Sequence, residues 1–475
     1  MRTVSRRPRI RVDALLGSIL ALVLGSCSPG TVLGNDALPP DVPDPTHVQT
    51  PDGALAIYRG AISQFGQAFG GHDGDILSGG ILTDELQDGL VGLAGTGTSG
   101  SGWMFIDARS FSNSDATDFT YSALQSARGQ INQALGALRA YAPNAPVALQ
   151  GRLHALEGYD EIFLADLFCS GVPLSTLDFN GDFTYEPGSP TDTIYQRAAV
   201  QFDSALTLAT DSADVMNLAR VGKARALLGL GDYPAAEEAV AGVPDDFREA
   251  ITYAAGKELS SNFALSAWGS TSLPPTMADR EGGNGLPYRS SGDPRTPSAF
   301  LGSNQYGVPI YRPTQYATDG STPIVLASGV EARLTEAEAQ LHAGEPTWLP
   351  TLNALRTDGS FDTQQDPVDA TKTDTLWHAG SGGVPGLAPL EDPATADRRL
   401  DVLFQERGYW LFLTGHRQGD LRRLIREYQR NSESVYPTGA YAGLSGLYGI
   451  YVNAPIPQTE QLYNPKFHGC LNRGA

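Results

Sequence analysis

The chain has 475 residues, with 33 Lys and Arg against 53 Asp and Glu, for a formal charge of −20. A surface of that sign repels phosphate backbones and anionic headgroups, which argues against nucleic acid and against a charged membrane face as partners. Charged residues are sparse at 18%, while Gly (54) and Pro (32) are plentiful, so the composition is that of a folded protein with long connections rather than a disordered chain.

The first segment reads as a secretory signal. Arg2, Arg6, Arg7, Arg9 and Arg11 precede an apolar run from Ala14 to Leu24, which is too short to span a bilayer comfortably. It stops at Leu24-Gly25-Ser26-Cys27, a branched residue and two small ones before a Cys. This is the pattern of a bacterial lipobox, in which Cys27 takes the lipid. Residues 1–26 are then a lipoprotein signal peptide. Without the leader's five Arg and one Asp, 28 basic and 52 acidic residues remain, a charge of −24. Residues 27–50 contain Pro39, Pro40, Pro43 and Pro45 and read as a tether. The remainder, 51–475, reads as one binding domain.

Helical patterns dominate that domain. Thr50-Pro51 opens the first, with Thr as cap and Pro at a position whose N–H would be orphaned anyway. The stretch from Tyr121 to Pro143 places Leu124, Ile131, Leu135 and Leu138 near one face, and the next helix carries Leu149, Leu153, Leu156, Phe163 and Leu167 at helical steps. Ser189-Pro190-Thr191-Asp192 has the form of a capping box. Leu227, Gly231, Tyr233, Ala236 and Val240 fit the small and aromatic pattern of a tetratricopeptide helix pair, and Arg333 to Arg356 repeats it loosely. Two loop-rich zones interrupt the helices: Gly269–Ser328, with short strand-like runs, and Asp358–Pro393, which is long and polar. A last helical block from Ala396 to Tyr428 places Arg407, His416, Asp420 and Arg422 at spacings that permit ion pairs. His416 and Asp420 could also suggest a catalytic pair. No nucleophile accompanies them, which favours a structural role.

This block and the tail resemble the SusD/RagB family, surface lipoproteins that bind nutrients for TonB-dependent outer-membrane transporters. The resemblance is carried by Glu406-Arg407, Leu411-Phe412, Gly415-His416-Arg417 and Asp420-Leu421-Arg422-Arg423, then by Pro455-Ile456-Pro457 and Asn464-Pro465. Ser78–Glu85, Gly292–Arg295, Arg333–Leu341 and Leu352–Arg356 follow the family's order over nearly the whole mature chain. Gln418-Gly419 departs from it, standing where family members usually carry aromatics. The resemblance implies a mostly α fold, a tetratricopeptide-like superhelix of helical pairs with long loop-rich insertions and few short strands. It also implies a ligand site built from loops on one face.

Catalytic signatures are missing. Gly95–Gly100 fits G-x-G-x-x-G without a flanking strand and helix, and reads as a loop. There is no H-E-x-x-H, C-x-x-C, phosphate-binding P-loop or G-x-S-x-G, and no metal or cofactor is expected. The positive candidates are aromatics in loops, which stack on the apolar faces of sugar rings: Trp103, Trp268, Tyr288, Tyr306, Tyr311 and Tyr316. Trp410, inside the helical block, reads as core. With Cys27 lipidated, Cys169 and Cys470 remain and an oxidising compartment permits their pairing. Without the bridge, the tail is expected to be held by side-chain packing alone.

The reading is therefore a non-enzymatic, outer-membrane, lipid-anchored surface protein. It captures a nutrient, an oligosaccharide or polysaccharide, for a TonB-dependent porter. A peptide-binding member of the same family and a lipid-anchored glycan hydrolase remain as alternatives.

Overall fold

The computed structural model describes residues 49–475 apart from 90–101, 112–116, 180, 258, 271–273, 366–372, 380–386 and 442–445. The leader, Cys27, most of the tether and the Gly95–Gly100 run lie outside the described residues. Among the described residues no helix is long and apolar enough to cross a membrane.

Helix α1 (Pro51–Gly70) begins as its sequence dictates, with the Thr50 hydroxyl accepting from the Gly53 N–H at 3.0 Å. Next come α2 (Asp75–Leu82), β1 (Leu86–Gln87), α3 (Gly102–Asp107) and α4 (Thr117–Tyr141). Helix α4 lies along α1 and buries Leu124, Ile131, Leu135 and Leu138. Helix α5 (Ala148–Leu167) is buried nearly all round, which explains its weak amphipathic signal. Four two-residue strands follow: β2 (Val172–Pro173), β3 (Thr176–Leu177), β4 (Phe183–Thr184) and β5 (Gly188–Ser189).

The expected capping box at Ser189 does not form. Ser189 pairs with Val172 in the β2–β5 ladder, and α6 (Thr191–Leu208) starts one residue later with Pro190 at its cap position. The Thr191 N–H is instead accepted by the Ser170 hydroxyl at 3.2 Å, a cap delivered from another segment.

The tetratricopeptide-like pair is α7 (Ala213–Gly229) with α8 (Tyr233–Val240). Between them Gly231 takes φ +71°, and the Asp232 carboxylate accepts from the Ala235 N–H at 3.3 Å. Tyr233 stacks on His342 at 3.9 Å between ring centroids, joining this pair to α9 (Gly329–Ala343), which packs in turn on α10 (Trp348–Asp358). Consecutive helices thus bury their faces on one another, the arrangement of a helical-pair superhelix.

Strands stay short, and the described residues form only two-stranded sheets. The first loop-rich zone holds β7 (Thr276–Met277), β8 (Ser298–Ser303), β9 (Pro309–Pro313) and β10 (Ile324–Ser328); β10 pairs with β6 (Arg248–Ile251). The second zone, expected as loop, contains an antiparallel hairpin of β11 (Gly359–Gln365) and β12 (Thr373–Ala379).

The last helical block is broken in two. Helix α11 (Ala396–Trp410) stops at Leu411, and α12 (Arg417–Arg426) begins after Leu413 and Gly415, both at positive φ (53° and 75°). His416 therefore sits at the entry of α12 and does not pair with Asp420 along one continuous helix. The break lets the motif residues face several neighbours at once. Arg407 grips Asp420 with two bonds of 2.8 Å, and Arg423 reaches both Asp420 (2.8 Å) and Glu338 (3.0 Å). Arg417 grips Asp84 at 2.6 and 2.8 Å. Glu406 accepts from Arg295 at 2.7 Å and from Arg356 at 2.6 Å. Burial by itself would raise Asp420, but the two guanidiniums hold it far below the usual carboxylate range. The charged motifs quoted above, from Ser78–Glu85 to Asp420–Arg423, therefore each supply a part of the buried ion pairs. Removing a single partner from such a pair strands the other charge.

The chain ends in α13 (Ser432–Val435), β13 (Ala440–Tyr441), β14 (Gly446–Leu447) and α14 (Gln458–Tyr463). Cys169 and Cys470 are bonded, with sulfurs 2.04 Å and Cα atoms 5.9 Å apart. The tail is not held by side chains alone in addition to this bridge. The Cys169 N–H donates to the Ala454 carbonyl (2.9 Å) and the Leu471 N–H to the Ser170 carbonyl (2.7 Å).

Candidate functional site

The six loop aromatics divide by burial. Trp268 is 8% exposed in a π-helical turn, Leu265–Ser270; its indole donates to the Pro275 carbonyl at 2.9 Å, and Phe263 meets it edge-on. Tyr288 is fully buried between Tyr409 and Phe412. Tyr316 is buried against Phe263 and donates to the Leu413 carbonyl at 2.8 Å. Neighbouring protein groups surround these three rings. Trp410 is core, as expected.

The other three lie nearer the surface. Trp103, on α3, is half-buried with its ring 6.0 Å from that of His72. Tyr306 is exposed at the tip of the β8–β9 hairpin, and Tyr311 is half-buried on β9. The hairpin is built by local chemistry. The Asn304 carbonyl Oδ1 accepts from the N–H groups of Tyr306 (3.0 Å) and Val308 (3.1 Å), which closes the turn, and Gly307 supplies the positive φ that the turn needs. A register shift between Phe300 and Gly302 bends β8. Phe300 is paired with Tyr311 across the ladder, its ring 5.1 Å away, yet remains 57% exposed.

Arg289 completes this patch. Its guanidinium lies 4.0 Å from the centroid of the Tyr311 ring while Nε donates to the Met277 carbonyl at 3.0 Å. The Thr276 hydroxyl accepts from the Tyr311 N–H at 3.0 Å, which fixes β9 against β7. The result is an exposed Phe300 beside a ring already engaged by a cation, with Tyr306 exposed at the tip of the same hairpin. Such exposed rings can stack on an apolar ring face. The carboxylate bonded into this patch, Asp279, is taken up by the N–H groups of Arg289 (3.0 Å) and Ser290 (2.9 Å), so it is held as a structural acceptor. Phe300 and Arg289 were missed in the sequence. Alternation along β8 could have flagged Phe300, but the stacking of Arg289 has no sequence signature.

Another depression, lined by Arg295, Tyr316, Glu331, Tyr409 and His416, has a volume of about 80 Å³. That is below the roughly 300–1,000 Å³ of typical small-molecule sites. Burial and the adjacent Arg225 hold His416 below its usual pKa, and it is locked at 3.0 Å from Glu331. It serves the scaffold. Among the described residues no group of His, Cys, Asp and Glu is arranged to hold a metal ion.

No family model matches the chain, and no curated protein matches it in sequence. Solved structures do resemble it. A SusD-like carbohydrate-binding protein from Bacteroides vulgatus aligns over 88% of this chain and 97% of its own, with TM-score 0.57 and 14% identity. A SusD superfamily protein from Bacteroides thetaiotaomicron aligns over 89% and 100%, with TM-score 0.60 and 13% identity. A SusD/RagB family protein from the same organism aligns over 87% and 94%, with TM-score 0.56 and 15% identity. The chain thus has the SusD/RagB fold over nearly its whole described length.

Proposed function

We propose that this protein is a lipid-anchored surface binding protein that captures an oligosaccharide or polysaccharide and passes it to a TonB-dependent outer-membrane porter, without performing chemistry on it. The observation that carries the reading is the likeness of fold to SusD-superfamily proteins over 88–89% of the chain, one of them described as carbohydrate binding. The lipobox ending at Cys27 supports attachment through lipid. The exposed rings of Phe300 and Tyr306 support binding by stacking.

The test is purification from membranes in mild detergent, alongside a Cys27→Ser variant. A large β-barrel porter should co-purify with the wild type, and the variant should leave the membrane fraction or stay unprocessed. Repeated recovery without a porter, or unchanged fractionation of the variant, overturns the reading.

A further inference from the structure

A second concavity shares no lining residue with the β8–β9 hairpin. It lies between α4, the β3–β4 hairpin and α14, and has a volume of about 590 Å³. We propose that this groove is a binding site for an uncharged oligosaccharide. The inference adds a site to the reading above and does not depend on the hairpin rings.

Three large rings line the groove and stay open to solvent. Phe183 is 53% exposed, Tyr185 36% and Tyr463 73%. Phe183 and Tyr185 stand two apart, so they share one side of the extended chain, and their rings meet edge-to-face at 4.7 Å. This arrangement orients the pair while leaving ring surface uncovered. Exposed rings gathered in a concavity mark a binding surface more than scattered single ones do.

Apart from one carboxylate, the polar lining is neutral. Helix α4 contributes Gln125, Gln130 and Gln133 on one side, with Ser126 between them. Two of these amides are anchored: Gln125 donates to the Pro173 carbonyl at 2.9 Å and Gln133 to the Leu177 carbonyl at 3.3 Å. Gln130 is exposed between them. Amides and hydroxyls offer donors and acceptors together, which suits a ligand made of hydroxyl groups.

Charge sets the ligand class. Among the described residues no Lys or Arg lines the groove. Its one lining carboxylate, Glu460, accepts from the Tyr121 hydroxyl at 3.1 Å and from the Asn464 amide at 2.8 Å. Outside the lining, exposed Lys466 donates one hydrogen bond to the Tyr185 carbonyl at 2.7 Å. An anionic ligand would find no cation in the lining and a chain of net charge −20 around it. A cationic ligand would find a single carboxylate, both oxygens of which already accept a hydrogen bond. Sugar rings present apolar C–H faces to Phe183, Tyr185 and Tyr463 and hydroxyls to the amides.

The experiment is calorimetric titration of the folded protein with maltohexaose, cellohexaose, xylohexaose and mannohexaose. Hexagalacturonate serves as the anionic control and a capped Gly-Ser hexapeptide as the peptide control. At least one neutral hexasaccharide should bind in preference to both controls. Phe183→Ala and Tyr463→Ala should each weaken that binding about 5- to 100-fold with unchanged circular dichroism, since both side chains are exposed. Gln130→Ala should weaken it less. Absence of binding by every neutral chain, preference for either control, or binding indifferent to the groove variants overturns the site. Loss of glycan binding only in a Phe300→Ala/Tyr306→Ala variant would remove the groove yet leave glycan capture intact. Co-purification of a porter without any glycan binding would remove the groove while sparing the transport partnership.

Discussion

Asp107 and Glu281 are both buried inside the loop-rich face, and the charge of Asp107 acts on Glu281. The Tyr441 hydroxyl (2.8 Å) and the Asp88 N–H (2.8 Å) donate to Asp107, and the Tyr448 hydroxyl (2.9 Å) donates to Glu281. Burial pushes Asp107 up to about 7 despite the Asp88 N–H and Tyr441 hydroxyl bonds that oppose it; burial and the Asp107 charge push Glu281 well above its usual value. Both effects favour the protonated form of Glu281. An unfolded Asp ionises near pH 4. Between that pH and about 7, the folded chain holds protons that the unfolded chain has released. Stability should therefore fall as pH rises through this window, by roughly 1–3 kcal/mol. Urea unfolding at pH 5 and pH 8 measures it, and Asp107→Asn should flatten the difference. Equal slopes in both proteins would place the pH dependence elsewhere. Asp420 has the opposite sense: its depressed pKa contributes stability that is lost only as pH falls through the folded value.

At the scale of elements, helix ends show how far local chemistry reaches. Thr50 and Asp232 cap their helices with their own side chains. Asp232→Ala should therefore lower stability by about 1 kcal/mol, read from the urea midpoint, while the described fold is kept. No change would mean that packing of Tyr233 on His342 holds α8 without its cap. The departure at Gln418-Gly419 has an element-level cause as well. Gln418 donates to the carbonyls of Asp166 (3.1 Å) and Val452 (2.9 Å) and accepts from Tyr436, tying α12 to α5 and to the tail. A Cβ on Gly419 would meet an Asp166 carboxylate oxygen at 2.6 Å. The close approach of two helices thus leaves no room for an aromatic at that position.

For the whole molecule, the bond between Cys169 and Cys470 spans 301 residues and returns the tail to α5. That return also forms one wall of the groove, because Asn464 donates to the Glu186 carbonyl at 2.9 Å and Lys466 to the Tyr185 carbonyl. Replacing both cysteines with Ala should cost about 2–4 kcal/mol, with the effect on the unfolded chain dominating in the chain-entropy account. The tail should still dock through its backbone bonds to Cys169 and Ser170. Chemical unfolding of the double variant against the oxidised wild type checks this. A matching midpoint would show that the backbone bonds alone fix the tail.

The sequence by itself determined the helices, because the 3.6-residue period of Leu124, Ile131 and Leu135 or of the α7–α8 pair is a local signal. It also determined the class of fold, since the motif residues are separately recognisable in chain order. It could place aromatics in loops but not say which way they face. Trp268, Tyr288 and Tyr316 resemble Tyr306 in their Gly- and Pro-rich surroundings, yet the first three are buried. Burial in an irregular segment has no period, so only the tertiary packing decided it. The same holds for the cap on α6, supplied by Ser170 from outside the helix, for the pairing of Asp84 and Glu338 with Arg417 and Arg423 of α12, and for that of Arg295 with Glu406 of α11. Those pairings join residues far apart in the chain. Their partners are selected by where the superhelix brings the backbone, and a string of residues does not carry that distance.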